Sequence, residues 1–400
     1  MQLTFWHRAR YWVLLLLVFL ITISSHPVIV AMSQAAGLEN GTILSRYVIL
    51  VFAGLFLMCL NVKSMLESKM VRVSWFIWIW IVVYYLITYA FFGKRAMMGD
   101  VRSIAISLAA IMIGWQFDLD EKRFRVLLLA FAGLTLFVGL MQVFTNVGGF
   151  VIRDQYHTDN KNSLGVMLAT SLIVFFFIGL NQPKVGLIRI SMIALCLLTF
   201  VVLLTIRARA ATLTSIIIFL FVLCERYKGK NLLLYLILGL FFVVIAFLVL
   251  PPEMKEYVYN SFFQNYEGGD ITAGRAWRNA AAFRFLSDHI FLGNLNADAD
   301  IAQIHNYPLN RTYQFGVVFV FPILLVYLYL LVEIFVKTIK SDSKDLKNIG
   351  CYLLLIPFII SMVEPTFPFG PGTATVVNFL VFGLALRYSN NAKKGLATSV

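Results

Sequence analysis

Residues 231–250 read NLLLYLILGLFFVVIAFLVL, and residues 251–256 read PPEMKE. The first run is a continuous apolar stretch of about the 20 residues a helix needs to cross a bilayer. The second opens a polar interruption that extends to Gln314 and is the longest in the chain. Elsewhere apolar runs alternate with short polar connections. Of the 400 residues, 60% are hydrophobic and 13% charged, against about 25% charged in soluble domains. Mean hydropathy is +0.84. These features predict an all-α polytopic membrane protein. Its candidate spans are twelve: 12–31, 44–60, 73–92, 101–116, 126–144, 163–180, 188–206, 210–224, 231–250, 315–336, 349–364 and 373–388. Three portions follow: a nine-helix part over 1–250, a large loop over 251–314, and a three-helix part with a tail over 315–400.

The net charge of +13 is explained by its distribution. With the N-terminus in the cytoplasm and strict alternation, 20 of the 33 Lys and Arg fall in cytoplasmic segments, as the positive-inside rule requires. Both termini are then cytoplasmic and the 251–314 loop faces outward. Residues 1–33 end in Ala31-Met32-Ser33, a spacing that a signal-peptide cleavage site could use. The apolar run before it exceeds the usual 7–15 residues of such a segment, so it is read as a first span. The four cysteines, Cys59, Cys196, Cys224 and Cys351, lie in spans or at their cytoplasmic ends. No external disulfide is therefore expected, and no Cys/His spacing suits a metal. No phosphate-binding glycine loop or nucleotide motif is present, which removes support for chemistry driven by nucleotides on the cytoplasmic side.

Two connections on the outer side are long. Residues 145–162 carry Gly148-Gly149, Arg153, Asp154, Tyr156, His157 and Asp159. In the 251–314 loop, Gly268-Gly269-Asp270 reads as a turn and Thr272 as a helix cap. The spacing predicts an amphipathic helix over 274–287, with Arg275, Arg278 and Ala282 on one face and Trp277, Ala281 and Arg284 on another. Gly293 ends that unit. Residues 305–314 read as a helix running into the tenth span, with Pro308 tolerated in its first turn.

Each candidate site residue has a bland alternative. Arg207 and Arg209 could snorkel to headgroups or form an anion site in a wet cavity. Arg275 and Arg278 could line a solvated face or hold phosphate oxygens bidentately. His305 could be structural, yet it stands where the loop meets a span, and a neutral histidine there suits a general base for a hydroxyl. Arg153, Asn306 and Arg311 complete the set of expected substrate contacts.

Several segments together resemble the O-antigen ligase and O-antigen polymerase family of bacterial surface-glycan enzymes. Arg209-Ala210-Ala211-Thr212-Leu213 resembles an SRGA-type segment opening a span, with Ala208 in place of the usual Ser or Thr. Ala273-Gly274-Arg275-Ala276-Trp277, followed by Asp288-His289-Ile290-Phe291-Leu292-Gly293, resembles the family's loop segment, with Ile290 where Pro is common. His305-Asn306-Tyr307-Pro308-Leu309, followed by Gly316, matches an H-N-x-x-L-x6-G pattern. Asp159-Asn160-Lys161-Asn162-Ser163 resembles the Asn-bearing start of the sixth span. The likeness is best over residues 155–325.

The resemblance implies a GT-C-type glycosyltransferase of the bacterial inner membrane that needs neither metal nor nucleotide and acts on the outer face. The implied donor is a glycan on undecaprenyl pyrophosphate. Arg209 and Arg275 would hold the pyrophosphate and His305 would deprotonate the acceptor hydroxyl. Phe319 and the short Gly293-to-His305 interval favour a polymerase of repeat units over a ligase that transfers the glycan to lipid A–core. A chain-length regulator is a possible partner. A flippase or exporter for the same lipid is a more distant alternative; no internal repeat of the kind transporters show is visible, and the candidate residues crowd one side.

Overall fold

The computed structural model describes residues 5–37, 43–61, 63–64, 68–93, 97–146, 161–182, 186–206, 208–227, 248, 252, 255, 275–294, 304–340, 348–365, 368–370 and 374–397. These form thirteen α-helices: α1 (Phe5–Ile23), α2 (Pro27–Ala35), α3 (Ile43–Cys59), α4 (Lys69–Phe92), α5 (Met97–Trp115), α6 (Glu121–Asn146), α7 (Lys161–Leu180), α8 (Leu187–Thr205), α9 (Arg209–Arg226), α10 (Arg275–His289), α11 (Tyr307–Lys340), α12 (Ile349–Ser361) and α13 (Val376–Ala397). Long apolar helices dominate, as expected for a multi-pass membrane protein.

The number of spans differs from the sequence expectation. Five helices are long and apolar enough to cross a membrane: Val71–Phe91, Glu121–Thr145, Asn162–Leu180, Leu187–Thr205 and Tyr307–Val326. The pair Arg8–Ile23 and Pro27–Ala35 makes a sixth if it is one broken span. About twelve spans is therefore corrected to five or six among the described residues, for local reasons. The apolar helices Tyr47–Cys59, Val101–Trp115, Ile349–Ser361 and Val376–Tyr388 are 10–17 residues long, at or below the lower limit of about 17 residues for a spanning helix. Helix α9 carries Arg209, Glu225 and Arg226 within its 18 residues. The 231–250 run, Leu248 apart, lies outside the described residues.

The first predicted span is also not one straight helix. It bends by 71° between α1 and α2. Pro27 opens α2, where its missing N–H and fixed φ suit a first turn but cannot continue α1. His26 Nδ1 accepts the Val28 N–H at 3.3 Å and so caps the new helix.

Helix α7 sits at the centre. Its apolar window is 89% buried, against 22% for α8, because its sequence is apolar around the whole circumference and contacts α6, α8, α9 and α12 on different sides. Helices α5 and α13 form the most extensive pair. Their backbones nearly touch at Gly114 and Gly383: a Cβ on either would lie 2.3 Å from a carbonyl oxygen of the other helix. Small residues allow this approach, which drives association where lipid is as apolar as leucine. A buried amide adds a polar tie. Asn378 Nδ2 donates to Thr170 Oγ1 and to Leu353 O, both at 2.8 Å, joining α13 to α7 and α12.

Candidate functional site

The starts of α7 and α9 are held together by a steric match. A Cβ on Gly165 would lie 2.7 Å from Ala208 Cβ and 3.2 Å from Ala211 Cβ, so only a glycine facing alanines permits the contact. Ala208 thereby has a packing reason to stand where the resembling family carries Ser or Thr. It also leaves α9 with no side-chain cap from its N-cap residue, and the positive end of the helix dipole lies at this start. Beside this contact lies a small cavity lined by Asn162, Ala208, Ala210, Ala211, Ile360 and Glu364. Arg209 stands between two of its lining alanines.

Helix α12 ends at Ser361, and the following turn carries Glu364 to the same cavity. The carboxylate meets two partners there. Asn162 Nδ2 donates to Glu364 Oε2 at 3.3 Å. His305 Nδ1 lies 3.7 Å from the same oxygen, with side-chain exposures of 20% for His305 and 10% for Glu364. Asn306 locks this corner. Its Oδ1 accepts the Leu309 N–H at 3.0 Å, capping α11, and its Nδ2 donates to Met362 O at 3.1 Å. Both ends of the Asn306 amide are engaged within the chain, which makes it a residue that sets the His305–Glu364 approach. Its expected contact with substrate is not needed to explain its position.

The 251–314 loop contributes α10, close to the helix expected over 274–287. It docks where α11 is broken. Gly316 has φ 77 and ψ 168 inside an otherwise helical run. The groups freed there find partners in the segment after α10: Val317 N–H donates to Ile290 O at 2.8 Å, Val318 N–H to Phe291 O at 3.4 Å, and Asn294 N–H to Tyr313 O at 2.8 Å. Tyr84 Oη, from α4, donates to Phe315 O at 2.7 Å. Gly293 is also left-handed, at φ 60. A Cβ on Gly293 would lie 2.5 Å from Gly316 N, and one on Gly316 would lie 2.0 Å from Phe291 O. The two glycines that ended separate sequence motifs are the two sides of one contact.

From that contact back to its start, α10 lies alongside the first turns of α11, the two helices running in the same direction. Phe285 packs against Tyr313 with ring centroids 4.9 Å apart and the planes tilted by 56°, and Ala282 packs with Ile304, Tyr313 and Leu309. This order carries the N-terminal turn of α10 towards the end of α11 where His305 lies. The sequence-predicted faces hold: Ala282 is buried and Arg278 half-buried, while Trp277 and Arg284 are exposed. Arg278 Nε is sheltered and has no hydrogen-bond partner among the described residues; the guanidinium lies 5.6 Å from the Trp277 ring centroid.

The structure thus brings His305 and Asn306 to the turn that bears Glu364, which lines the cavity beside the start of α9, with α10 carrying Arg278 towards the same end. Arg275 opens α10, and its side chain lies outside the described atoms. Arg311 is half-buried, its guanidinium 5.2 Å from the Tyr307 ring centroid and its Nη1 donating to Gln314 Oε1 at 2.6 Å. Arg153 and Arg207 lie outside the described residues, as do the Gly268-Gly269-Asp270 turn and Thr272. No metal-ligand cluster occurs among the described residues.

Glu364 was not among the expected residues. A signal for it exists in the sequence: with Glu333 it is one of two acids inside the predicted spans, and ionisable groups in such segments are costly unless they serve a function. Asn162 was visible only as part of the weakest of the four motif resemblances. No family model and no curated protein matches this chain.

Proposed function

We propose that this protein is a glycosyltransferase of the O-antigen polymerase and ligase type, joining repeat units carried on undecaprenyl pyrophosphate. The observation that carries this reading is the convergence of four segments, distant in sequence, on one end of the bundle: Asn162 at the start of α7, Ala208–Ala211 at the start of α9, His305 before α11, and Glu364 after α12. Three of these belong to motifs that individually mean little. The Gly293–Gly316 contact then ties a further motif pair into the same end.

The chemistry divides among the groups present. Arg209, Arg275 and Arg278 supply positive charge for a pyrophosphate leaving group, the largest stabilisation such a transfer needs. His305 takes the proton from the acceptor hydroxyl as its oxygen attacks the anomeric carbon, and the glycosyl–phosphate bond breaks. An apolar groove of about 410 Å³ between α6, α7 and α8, lined by residues such as Gly133, Phe137, Phe175 and Met192, suits part of a polyprenyl chain. Basic residues at the other end of the bundle, including Lys122, Arg123, Arg125, Arg189 and Arg226, orient that end to the cytoplasm and the site outward, at the bacterial inner membrane.

The test is reconstitution. Purified protein incubated with undecaprenyl-pyrophosphate repeat units alone should yield a ladder of lengthened lipid-linked glycans. Transfer only after addition of lipid A–core would make the protein a ligase. Movement of the lipid between leaflets without any new glycosidic bond would make it a transporter and overturn the reading.

A further inference from the structure

We infer that Glu364 is the positioning residue for His305, fixing the imidazole as its Nδ1–H tautomer so that Nε2 is the nitrogen left to accept a proton. The assignment starts from placement. Glu364 is 7% exposed, in a turn between apolar segments, where a carboxylate is costly to bury without a partner. It faces His305 Nδ1 at 3.7 Å. That separation is longer than a hydrogen bond, as is common between catalytic groups before substrate draws them together.

Two amides prepare the approach from opposite sides. Asn162 donates to Glu364 Oε2, the same oxygen that faces the imidazole, which orients the carboxylate plane. Asn306 holds the backbone of Met362, which fixes the distance between the two turns. An imidazole with one nitrogen committed to a carboxylate is set in tautomer and ring orientation, and the charge it gains on protonation is stabilised in place. Arrangements of this kind act through the residue they orient, so Glu364 touches neither donor nor acceptor.

The consequence for turnover rests on the proposed glycosyl transfer; the tautomer does not. On that reading the acceptor hydroxyl proton passes to His305 Nε2, the Nδ1 proton stays beside Glu364, and undecaprenyl pyrophosphate leaves. Asn162 and Glu364 then form a supporting pair whose loss slows the chemical step and leaves donor binding alone.

The full-length protein, labelled with ¹⁵N-histidine in lipid nanodiscs, gives a readout independent of activity, with His305→Gln used to assign the signal. The expected wild-type spectrum has Nδ1 protonated and Nε2 bare. Glu364→Ala should shift His305 towards the Nε2–H form, and Glu364→Asp should restore part of the wild-type pattern. In the elongation assay Glu364→Gln should lower kcat roughly 10–100-fold, the usual range for losing an orienting partner, with KM for the lipid donor within about twofold and Glu364→Asp partly active. A His305 tautomer unchanged in monodisperse Glu364→Ala and Glu364→Gln overturns the assignment, as does unchanged kcat in an active enzyme. If the wild type lengthens no glycan while Glu364 still sets the tautomer, the glycosyltransferase reading fails and the positioning role stands.

Discussion

The two ends of the helix bundle hold their polar residues in different ways. At the end where α9 finishes and α12 begins, neighbours bind one another. Tyr352 Oη donates to Glu225 Oε2. Arg226 Nη2 donates to Asn181 Oδ1 at 2.5 Å, and its guanidinium lies 4.8 Å from the Phe177 ring centroid. At the other end, His305 Nδ1 and Glu364 Oε2 face each other at 3.7 Å without a formed hydrogen bond. The first arrangement joins α7, α9 and α12. The second leaves its facing groups beyond hydrogen-bond distance. Similar residue types are therefore bonded to one another at one end and left at longer separations at the other, where the proposed site lies.

Substitutions sharpen that contrast. The largest effect is expected from His305→Ala, which should reduce glycan elongation by 10²-fold or more, within the usual range of roughly 10²–10⁴ for a general base. Binding of the lipid donor should persist, measured by retention of labelled lipid. If elongation survives, the site end has no reactive histidine and the contrast collapses.

Next comes Gly316→Ala. The new Cβ would meet Phe291 O in a left-handed backbone conformation, a strain of about 1–3 kcal/mol before the clash is counted. Thermal unfolding should begin earlier, and limited proteolysis after α10 should accelerate. Unaltered melting would remove the Gly293–Gly316 contact from the account of how α10 is placed.

Tyr352→Phe tests the opposite end. It takes away the donor to Glu225 and should lower stability by about 1–3 kcal/mol, while kcat of the folded fraction stays at the wild-type value. A fall in kcat would show that this end is not merely cohesive. The smallest effect belongs to Asn378→Leu, which removes the amide bonds to Thr170 and Leu353. An interhelical hydrogen bond in a membrane averages about 0.6 kcal/mol, so a small drop in melting temperature with intact activity is expected.

Much of this was legible in the chain. The helix over 274–287, the grouping of Arg278 with Ala282 on one face and the start of α11 near Pro308 followed from spacing and breaker chemistry. The break in the first span was missed: reading 12–31 as one helix overlooks Pro27, whose ring cannot sit inside a helix without cost. Counting apolar runs overstated the spans, because hydropathy alone does not register that α12 has 13 residues or that α9 extends to take in the charges flanking its apolar run. Glu364 and the pairing of Gly293 with Gly316 depend on which turns meet, and periodicity along one segment holds no information about that.

The broken helix at Gly316 also bears on how the protein is made. In hydrocarbon, every peptide N–H and C=O without a partner is expensive, so α11 could not settle beside lipid with its break uncovered. The segment that covers the break, Ile290–Asn294, emerges from the ribosome before Gly316 does. Translation order supplies the cover ahead of the gap, and a version of the chain with these two segments exchanged in order would meet the membrane with the gap exposed.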